Sequence, residues 1–231
     1  SEMCIRDSLY AHDDAVRTLM SLIATTAARH DKSMTPILAL FDGHHVRVSV
    51  MLTTSKEKAS DVHSNIGWRV RSDDIPYQFK KHPDESELER ASGPMWIGPL
   101  WNKDITQRMT EERAIELCHP SQEDLEVAKS YGLDWSEQDL EYATRELRRS
   151  VRHISKAADL MSREHLLLNL DSLPKWSNTP GAPKMEALIE RLIEKGFCAA
   201  RVPDLEPVFV TDADFQEVVK IVRELSESST K

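Results

Sequence analysis

The sequence predicts a mixed protein of the α/β plus α+β class, in which helices alternate with antiparallel hairpins. Near the N-terminus, a helical repeat of apolar residues precedes two apolar runs joined by Asp42-Gly43, a dipeptide typical of two-residue hairpin turns. Near the C-terminus, a short helix, a turn, a longer helix and a second hairpin follow one another. That order is typical of a winged-helix-like unit.

Composition limits the function classes that need to be considered. The chain has 231 residues, of which 40% are hydrophobic and 30% charged, and its net charge is -9. This balance argues against a basic surface over the whole chain but leaves local basic surfaces open. No apolar run approaches the roughly 20 residues of a membrane helix, so no membrane partner is expected. Cys4, Cys118 and Cys198 form no C-x-x-C pair, which favours a reducing, cytoplasmic location.

The first elements follow from apolar spacing. Residues 1–9 show no periodicity and are interpreted as a non-native lead, and residues 13–30 are predicted to form a helix. Residues 37–41 and 44–52 are the two predicted strands of the hairpin. Alternation on the return strand places one apolar set on one face, comprising Val46, Val48, Val50 and Leu52, and a second set on the other, comprising His45, Arg47, Ser49 and Met51.

The middle of the chain is less regular. Residues 56–92 are predicted to be a polar connection with one short strand at 66–70. The motif G-P-M-W-I-G-P-L at residues 93–100 predicts a rigid loop or short strand, because proline disfavours helix. Trp96 and Trp101 are expected to pack inside the protein in preference to stacking on bases.

Two helical regions follow this motif. Residues 102–131 predict two short acidic helices broken near Pro120. Residues 136–162 predict a long helix whose start has the form of a capping box. Spacing places five cations on one face of that helix, namely Arg145, Arg148, Arg149, Arg152 and Lys156. This set is equally consistent with a surface for phosphates and with a solvated face paired to the acidic region before it.

Other polar residues give weaker signals. His45 and Arg47 could contact phosphate, but the pattern favours a solvated edge of the hairpin. His44 and His45 point to opposite faces of a strand, and Cys118-His119 has no obvious partners, so no metal site is expected. The sequence contains no glycine-rich phosphate loop and no nucleophile elbow.

The last predicted elements are a strand at 166–170, a helical turn at 171–176 and a helix at 183–196 that ends at Gly196. Strands at 197–202 and 207–211 and a closing helix at 212–225 complete the chain. The helix at 183–196 carries Glu186, Glu190 and Glu194, which duplex phosphates would repel. DNA is therefore not an expected partner.

Residues 93–100 resemble the G-P-x-W-x-G-P-L signature of the tRNA (guanine(26)-N2)-dimethyltransferase family. The run G-H-H-V-R-V-S-V at residues 43–50 is similar to that family's D-H-Y-x-R-x-x-V return strand, with His45 in the place of Tyr. Residues 194–201 resemble its E-x-G-Y-x-A-x-R stretch. After that stretch the chain departs from the family, because Val202-Pro203 replaces a Thr-His pair and residues 204–207 lack a glycine-containing turn.

The resemblance implies part of an S-adenosylmethionine-dependent enzyme that dimethylates N2 of guanine 26 in tRNA. It also implies that residues 10–55 end a Rossmann-like methyltransferase domain, and that residues 93–231 form a C-terminal domain that helps to hold tRNA. The family's cofactor loop and D-P-[FY] motif lie upstream and do not occur here, so no catalytic or cofactor-binding residue is carried over. The chain alone is expected to be inactive, and to be unstable or self-associating through an exposed sheet edge.

Two rival interpretations remain at this point. One is a stand-alone winged-helix module that binds nucleic acid or protein without catalysis. The other is an independent enzyme with a site near His44, His45 and Arg47, for which the sequence offers no converging acids.

Overall fold

The computed structural model describes residues 10–41, 45–118, 121–163, 166–203 and 207–229. Several predictions from the sequence lie outside these residues: the non-native lead, the Asp42-Gly43 turn, His44, His119 and the replaced turn at 204–206. Within the described ranges, no helix is both long and apolar enough to cross a membrane.

The chain begins with a helix that packs on a two-stranded sheet. Helix α1 spans Ala11–Ala28, and strands β1 (Lys32–Phe41) and β2 (Val46–Thr54) pair antiparallel, which confirms the predicted helix and hairpin. Pro36 lies inside β1, where a bulge between Pro36 and Leu38 accommodates the missing N–H group. The apolar face of β2 is confirmed at Val46, Val48 and Val50, whereas Leu52 is 47% exposed.

A second sheet occupies the segment predicted to be a polar connection. After helix α2 (Lys56–Ser60), strands β3 (Ile66–Val70), β4 (Gln78–Lys80) and β5 (Ala91–Trp96) form an antiparallel sheet in the order β4-β3-β5. The short strand predicted at 66–70 is confirmed as the central strand of this sheet. Short 3-10 turns at Val62–Asn65 and Glu85–Arg90 connect these elements.

The Gly-Pro motif packs at the centre of the molecule. Trp96 and Trp101 are both buried, and each indole N–H donates to a backbone carbonyl, at Pro99 and Ala39 respectively. The predicted packing role of both residues is therefore confirmed. A Cβ atom on Gly67 of β3 would lie 2.6 Å from the backbone oxygen of Lys80, so this close approach requires glycine.

Four helices follow the motif. They are α3 (Lys103–Thr106), α4 (Glu111–Cys118), α5 (Gln122–Ser130) and the 25-residue α6 (Glu137–Met161). The prediction of two short helices over residues 102–131 was wrong, because α3 ends before Met109 and leaves three separate helices. The capping box of α6 is confirmed, since the Asp139 carboxylate accepts hydrogen bonds from both the backbone N–H and the hydroxyl of Ser136.

The last elements are strand β6 (Leu166–Asn169), helices α7 (Leu173–Ser177) and α8 (Met185–Glu194), strands β7 (Ala199–Arg201) and β8 (Val208–Thr211), and helix α9 (Phe215–Ser229). β8 lies between β6 and β7, and both neighbours are antiparallel to it. Gly196 ends α8 with φ at 91°. Leu188 and Leu192 of α8 are fully buried, whereas Ile193 is 54% exposed.

Two clusters of buried residues form the core. One joins Val16 and Met20 of α1 to the tryptophans of the Gly-Pro motif, to the end of α6 and to Val210 of β8. The other lies between β6, β8 and helices α7 to α9. The first cluster contains residues from both sides of residue 93, so the two predicted domains share a core, and the division into domains stays a prediction.

Candidate functional site

Helix α6 places the predicted cations on its solvent face. Its opposite face is buried at Leu140, Val151, Ile154, Ala158 and Met161, which fixes the rotation of the helix about its axis. The basic face, defined as Arg145, Arg148, Arg149, Arg152 and Lys156, is exposed at all five positions. The structure therefore brings together the five residues that sequence spacing predicted to share one face.

Nearby acidic residues neutralise part of the basic face. Arg152 forms a bidentate ion pair with Glu111 of α4, with nitrogen–oxygen distances of 2.7 and 3.0 Å. The hydrogen bond from Arg152 lowers the pKa of Glu111 below its ordinary value. Arg149 pairs with Glu146 at 2.9 Å on the same helix. The basic face had two interpretations, a surface for phosphates or a face paired to the acidic region before the helix. For Arg152 the second interpretation holds, because this residue pairs with Glu111.

The other three cations have weaker partners or none. Arg145 lies 4.0 Å from Glu146, and its guanidinium lies over the Tyr142 ring at 5.2 Å from the centroid. Among the described residues, no ion pair is formed by Arg148 or Lys156. The charge of Arg148 still helps to lower the pKa of Glu111, so only Lys156 has neither an ion pair nor such an interaction with the described residues.

A cleft of about 750 Å³ runs between α6 and the start of α5. Four of the five cations line it, with Lys156 outside, and its other polar walls come from Ser121, Gln122, Glu137 and Glu141. One end of the cleft is thus cationic and the other acidic. Anionic ligands are favoured at the arginine end and disfavoured at the end with Glu137 and Glu141.

His45 and Arg47 lie apart from this cleft. Both are exposed, and Arg47 sits on β2 opposite Leu40. Neither residue lines the cleft of α6, so the structure does not join the two predicted sets in one cavity. Among the described residues, no group of three His, Cys, Asp or Glu side chains could hold a metal ion.

Sequence reasoning missed a buried ionic cluster at the start of α1, comprising Asp13, Asp14, Arg17 and Arg69. Arg17 Nε donates to Asp13 at 2.7 Å, and Arg69 pairs with both Asp13 and Asp14. Burial would raise the pKa of Asp13, but the charges of Arg17 and Arg69 together lower it to about 2. Burial raises the pKa of Asp14.

A signal for this cluster was present in the sequence. Arg17 lies on the apolar stripe of α1 between Val16 and Met20, four residues after Asp13. A charged residue within a buried stripe requires a partner, and the i, i+4 spacing supplies one. The second arginine, Arg69, comes from β3 and could not be assigned to the cluster without the fold.

The chain is similar to proteins of one known family. A sequence model described as N2,N2-dimethylguanosine tRNA methyltransferase matches residues 3–223. The chain is similar to tRNA (guanine(26)-N(2))-dimethyltransferases of Methanopyrus kandleri, at 26% identity over 93% of this chain and 50% of the relative, and of Thermococcus kodakarensis, at 26% over 92% and 48%. A relative from Pyrobaculum neutrophilum is 31% identical over 46% of this chain and 29% of its own length.

A solved structure shares the fold. It is Trm1 from Pyrococcus horikoshii in complex with S-adenosyl-L-methionine, with a TM-score of 0.69 and 19% identity over 96% of this chain and 54% of that one. The chain spans about half the length, or less, of the curated relatives that it matches.

Proposed function

This chain belongs to the N2,N2-dimethylguanosine tRNA methyltransferase family, and from that premise we propose that it is the portion that binds and positions tRNA. The whole enzyme would transfer methyl groups from S-adenosylmethionine to N2 of guanine 26. The chain by itself would be inactive, because it carries none of the family's cofactor or catalytic motifs. Curated relatives named for this reaction support the proposal.

The observation that carries the tRNA-binding role is the basic face of α6. The chain as a whole has a net charge of -9, yet five cations lie along one exposed face. A row of arginines and lysines at helical spacing can follow successive phosphates of an RNA backbone. Arg148 and Lys156, which form no ion pair in the described chain, would contribute most. Arg152 would contribute less, since Glu111 competes for it.

The same proposal includes a winged-helix-like unit near the C-terminus and the end of a Rossmann-like methyltransferase sheet near the N-terminus. The order α6-β6-α7-α8-β7-β8, with β8 between its partners, supports a winged-helix-like unit. Helix α1 followed by the antiparallel pair β1-β2 supports the end of a Rossmann-like methyltransferase sheet. His45 and Arg47 would then contact RNA from the hairpin, at a distance from the cleft of α6. DNA is not proposed as a partner, since α8 presents Glu186, Glu190 and Glu194.

We propose that S-adenosylmethionine binds outside the described cavities. Its sulfonium group is cationic, and four of the residues that line the cleft of α6 are arginines, which disfavour a cation there. The cofactor would therefore bind in the part of the enzyme that carries the family's cofactor motif, and no step of methyl transfer is assigned to residues of this chain.

Charge reversal on α6 tests the tRNA-binding role. Arg148→Glu should weaken tRNA binding about fivefold and lower the slope of affinity against salt by about 1, the effect of losing one phosphate contact. The matched control is Arg90→Glu, which makes the same change at an exposed arginine far along the chain from α6. Fluorescence anisotropy with labelled tRNA measures both variants. Equal affinities for the two variants would refute the role of α6.

A further inference from the structure

A second cavity, of about 390 Å³, lies between β4, the Gly98-Pro99 turn and the residues after α6. Its polar walls are Arg17, Gln78, Lys81 and Arg163, and no carboxylate belongs to its described lining. The cleft of α6 differs in this respect, because Glu137 and Glu141 line it. The described lining of the second cavity therefore contains cations and no carboxylates, although carboxylates behind the wall pair with Arg17 and Arg163.

Arg17 provides an unsatisfied donor in this cavity. The side chain is 1% exposed, and its Nε and Nη1 atoms donate to Asp13 and to the carbonyls of Trp96 and Gly98. In the part of the chain that the structure describes, its Nη2 atom has no hydrogen-bond partner. Arg17 lines the cavity, so an anion bound there can accept a hydrogen bond from this donor.

The other two cations of the cavity, Arg163 and Lys81, differ in how far neighbouring carboxylates neutralise their charge. Arg163 is held by Asp159 at 3.0 Å and by Asp212 at 3.1 Å, so it is positioned and largely neutralised. Lys81 is exposed and makes no ion pair with the described residues. Lys81 therefore supplies the uncompensated positive charge, and Arg17 supplies the directional donor.

We propose that this cavity binds a backbone phosphate of tRNA, an inference that rests on the proposed function. A guanidinium, an ammonium and the amide of Gln78 are donors that suit phosphate oxygens. The cavity also lies within the range of about 300–1,000 Å³ typical of small-molecule sites, so a phosphate with its ribose fits. Arg163 follows the end of α6, seven residues after Lys156 in the sequence, so one RNA strand can contact both the basic face and the cavity.

The test uses Lys81, because this residue is exposed and its replacement leaves the buried cluster intact. Lys81→Glu should weaken tRNA binding about fivefold and lower the salt slope by about 1. The control is Lys220→Glu on α9, a 60%-exposed lysine that does not line the cavity. Inorganic phosphate alone should shift the NMR resonance of the Arg17 Nε–H group in the unaltered chain and not in Lys81→Glu.

Four outcomes separate this proposal from the proposed function. Weaker tRNA binding in both Lys81→Glu and Arg148→Glu supports the two together. Weaker binding in Arg148→Glu alone overturns the cavity proposal and leaves the role of α6 in place. A phosphate-dependent shift of Arg17 with unchanged tRNA affinity in Lys81→Glu also overturns it, since the cavity then takes only free anions. Undiminished or undetectable tRNA binding throughout overturns both.

Discussion

Asp13 is the buried carboxylate that joins the two arginines of the ionic cluster. It is 4% exposed and accepts hydrogen bonds from Arg17 and Arg69, which approach from α1 and β3. Removing one partner from a buried pair leaves the other charge uncompensated, which costs more than the pair contributes. The cluster therefore ties α1 to the second sheet.

The acid stability of the protein should depend on Asp13. Its pKa falls from 3.8 to about 2 on folding, so the folded state binds fewer protons between those values. The contribution of about 2 kcal/mol is fully present above about pH 4 and is lost as the pH falls toward 2. Asp13→Asn should lower stability at neutral pH by about 3 kcal/mol and flatten this acid limb.

Urea denaturation of both proteins between pH 2 and pH 6 provides the measurement. The raised pKa of Asp14 acts in the opposite direction, because its burial costs stability when it is ionised and this cost disappears on protonation. Parallel acid limbs for the unaltered chain and Asp13→Asn would contradict the assignment of the pH dependence to Asp13.

Glu111 should limit the part of Arg152 in RNA binding. Glu111→Gln removes the charge that competes with phosphate, so tRNA affinity should rise about threefold and the salt slope should steepen. Glu116→Gln is the matched control, since Glu116 lies on the same helix and pairs with Arg113. Anisotropy titrations compare the two. A gain that persists when Arg152→Gln is added to Glu111→Gln would show that Arg152 is not its cause.

At the scale of elements, the hairpin β1-β2 has one covered and one open edge. The carbonyls of Ile37 and Ala39 on β1 accept hydrogen bonds from the backbone N–H of Asn102 and the indole N–H of Trp101. Within the described residues, β2 pairs only with β1, so its outer edge is open, and Met51 and Leu52 beside it are about half exposed. An open edge with apolar side chains promotes pairing between chains.

Self-association should therefore proceed through β2. The chain should form concentration-dependent dimers or larger species, and Met51→Lys should reduce them because an edge lysine opposes strand pairing. Leu88→Lys, at another half-exposed apolar residue outside the hairpin, serves as the control. Analytical ultracentrifugation over a concentration series measures the effect. A monodisperse monomer that melts cooperatively would contradict the prediction.

Local patterns were sufficient to predict elements with strong periodicity or clear end signals. The apolar stripe of α1, the capping box at Ser136 and the glycine at residue 196 each placed a helix within a few residues of its observed bounds. The second sheet was mostly missed. β4 has three residues, and its pairing with β3 depends on contacts distant in sequence that no local pattern encodes.

In the candidate site, the sequence likewise predicted the features that depend on local spacing and missed those that depend on contacts distant in sequence. Helical spacing placed the five cations on one face, because periodicity alone fixes which residues of a helix share a side. Spacing could not show that Glu111 engages Arg152, since the two residues are 41 positions apart. Nor could it show the cavity around Arg17, whose walls come from four separate segments of the chain.

At the scale of the whole molecule, charge is distributed unevenly. The net charge of -9 would repel RNA if it were uniform, so binding requires the cations to be concentrated on one side. The basic face of α6 and the cavity beside Arg163 both lie along the same helix and its continuation. We expect this side of the molecule to face the tRNA.

The most direct test of this account is the salt dependence of tRNA binding by the unaltered chain, with duplex DNA of similar charge as competitor. Three to five phosphate contacts predict a slope of log affinity against log salt of about -2.7 to -4.5. We expect binding with that slope, and we expect DNA to compete poorly. No binding at low salt, a slope near zero, or equal competition by DNA would contradict the claim that this chain holds tRNA.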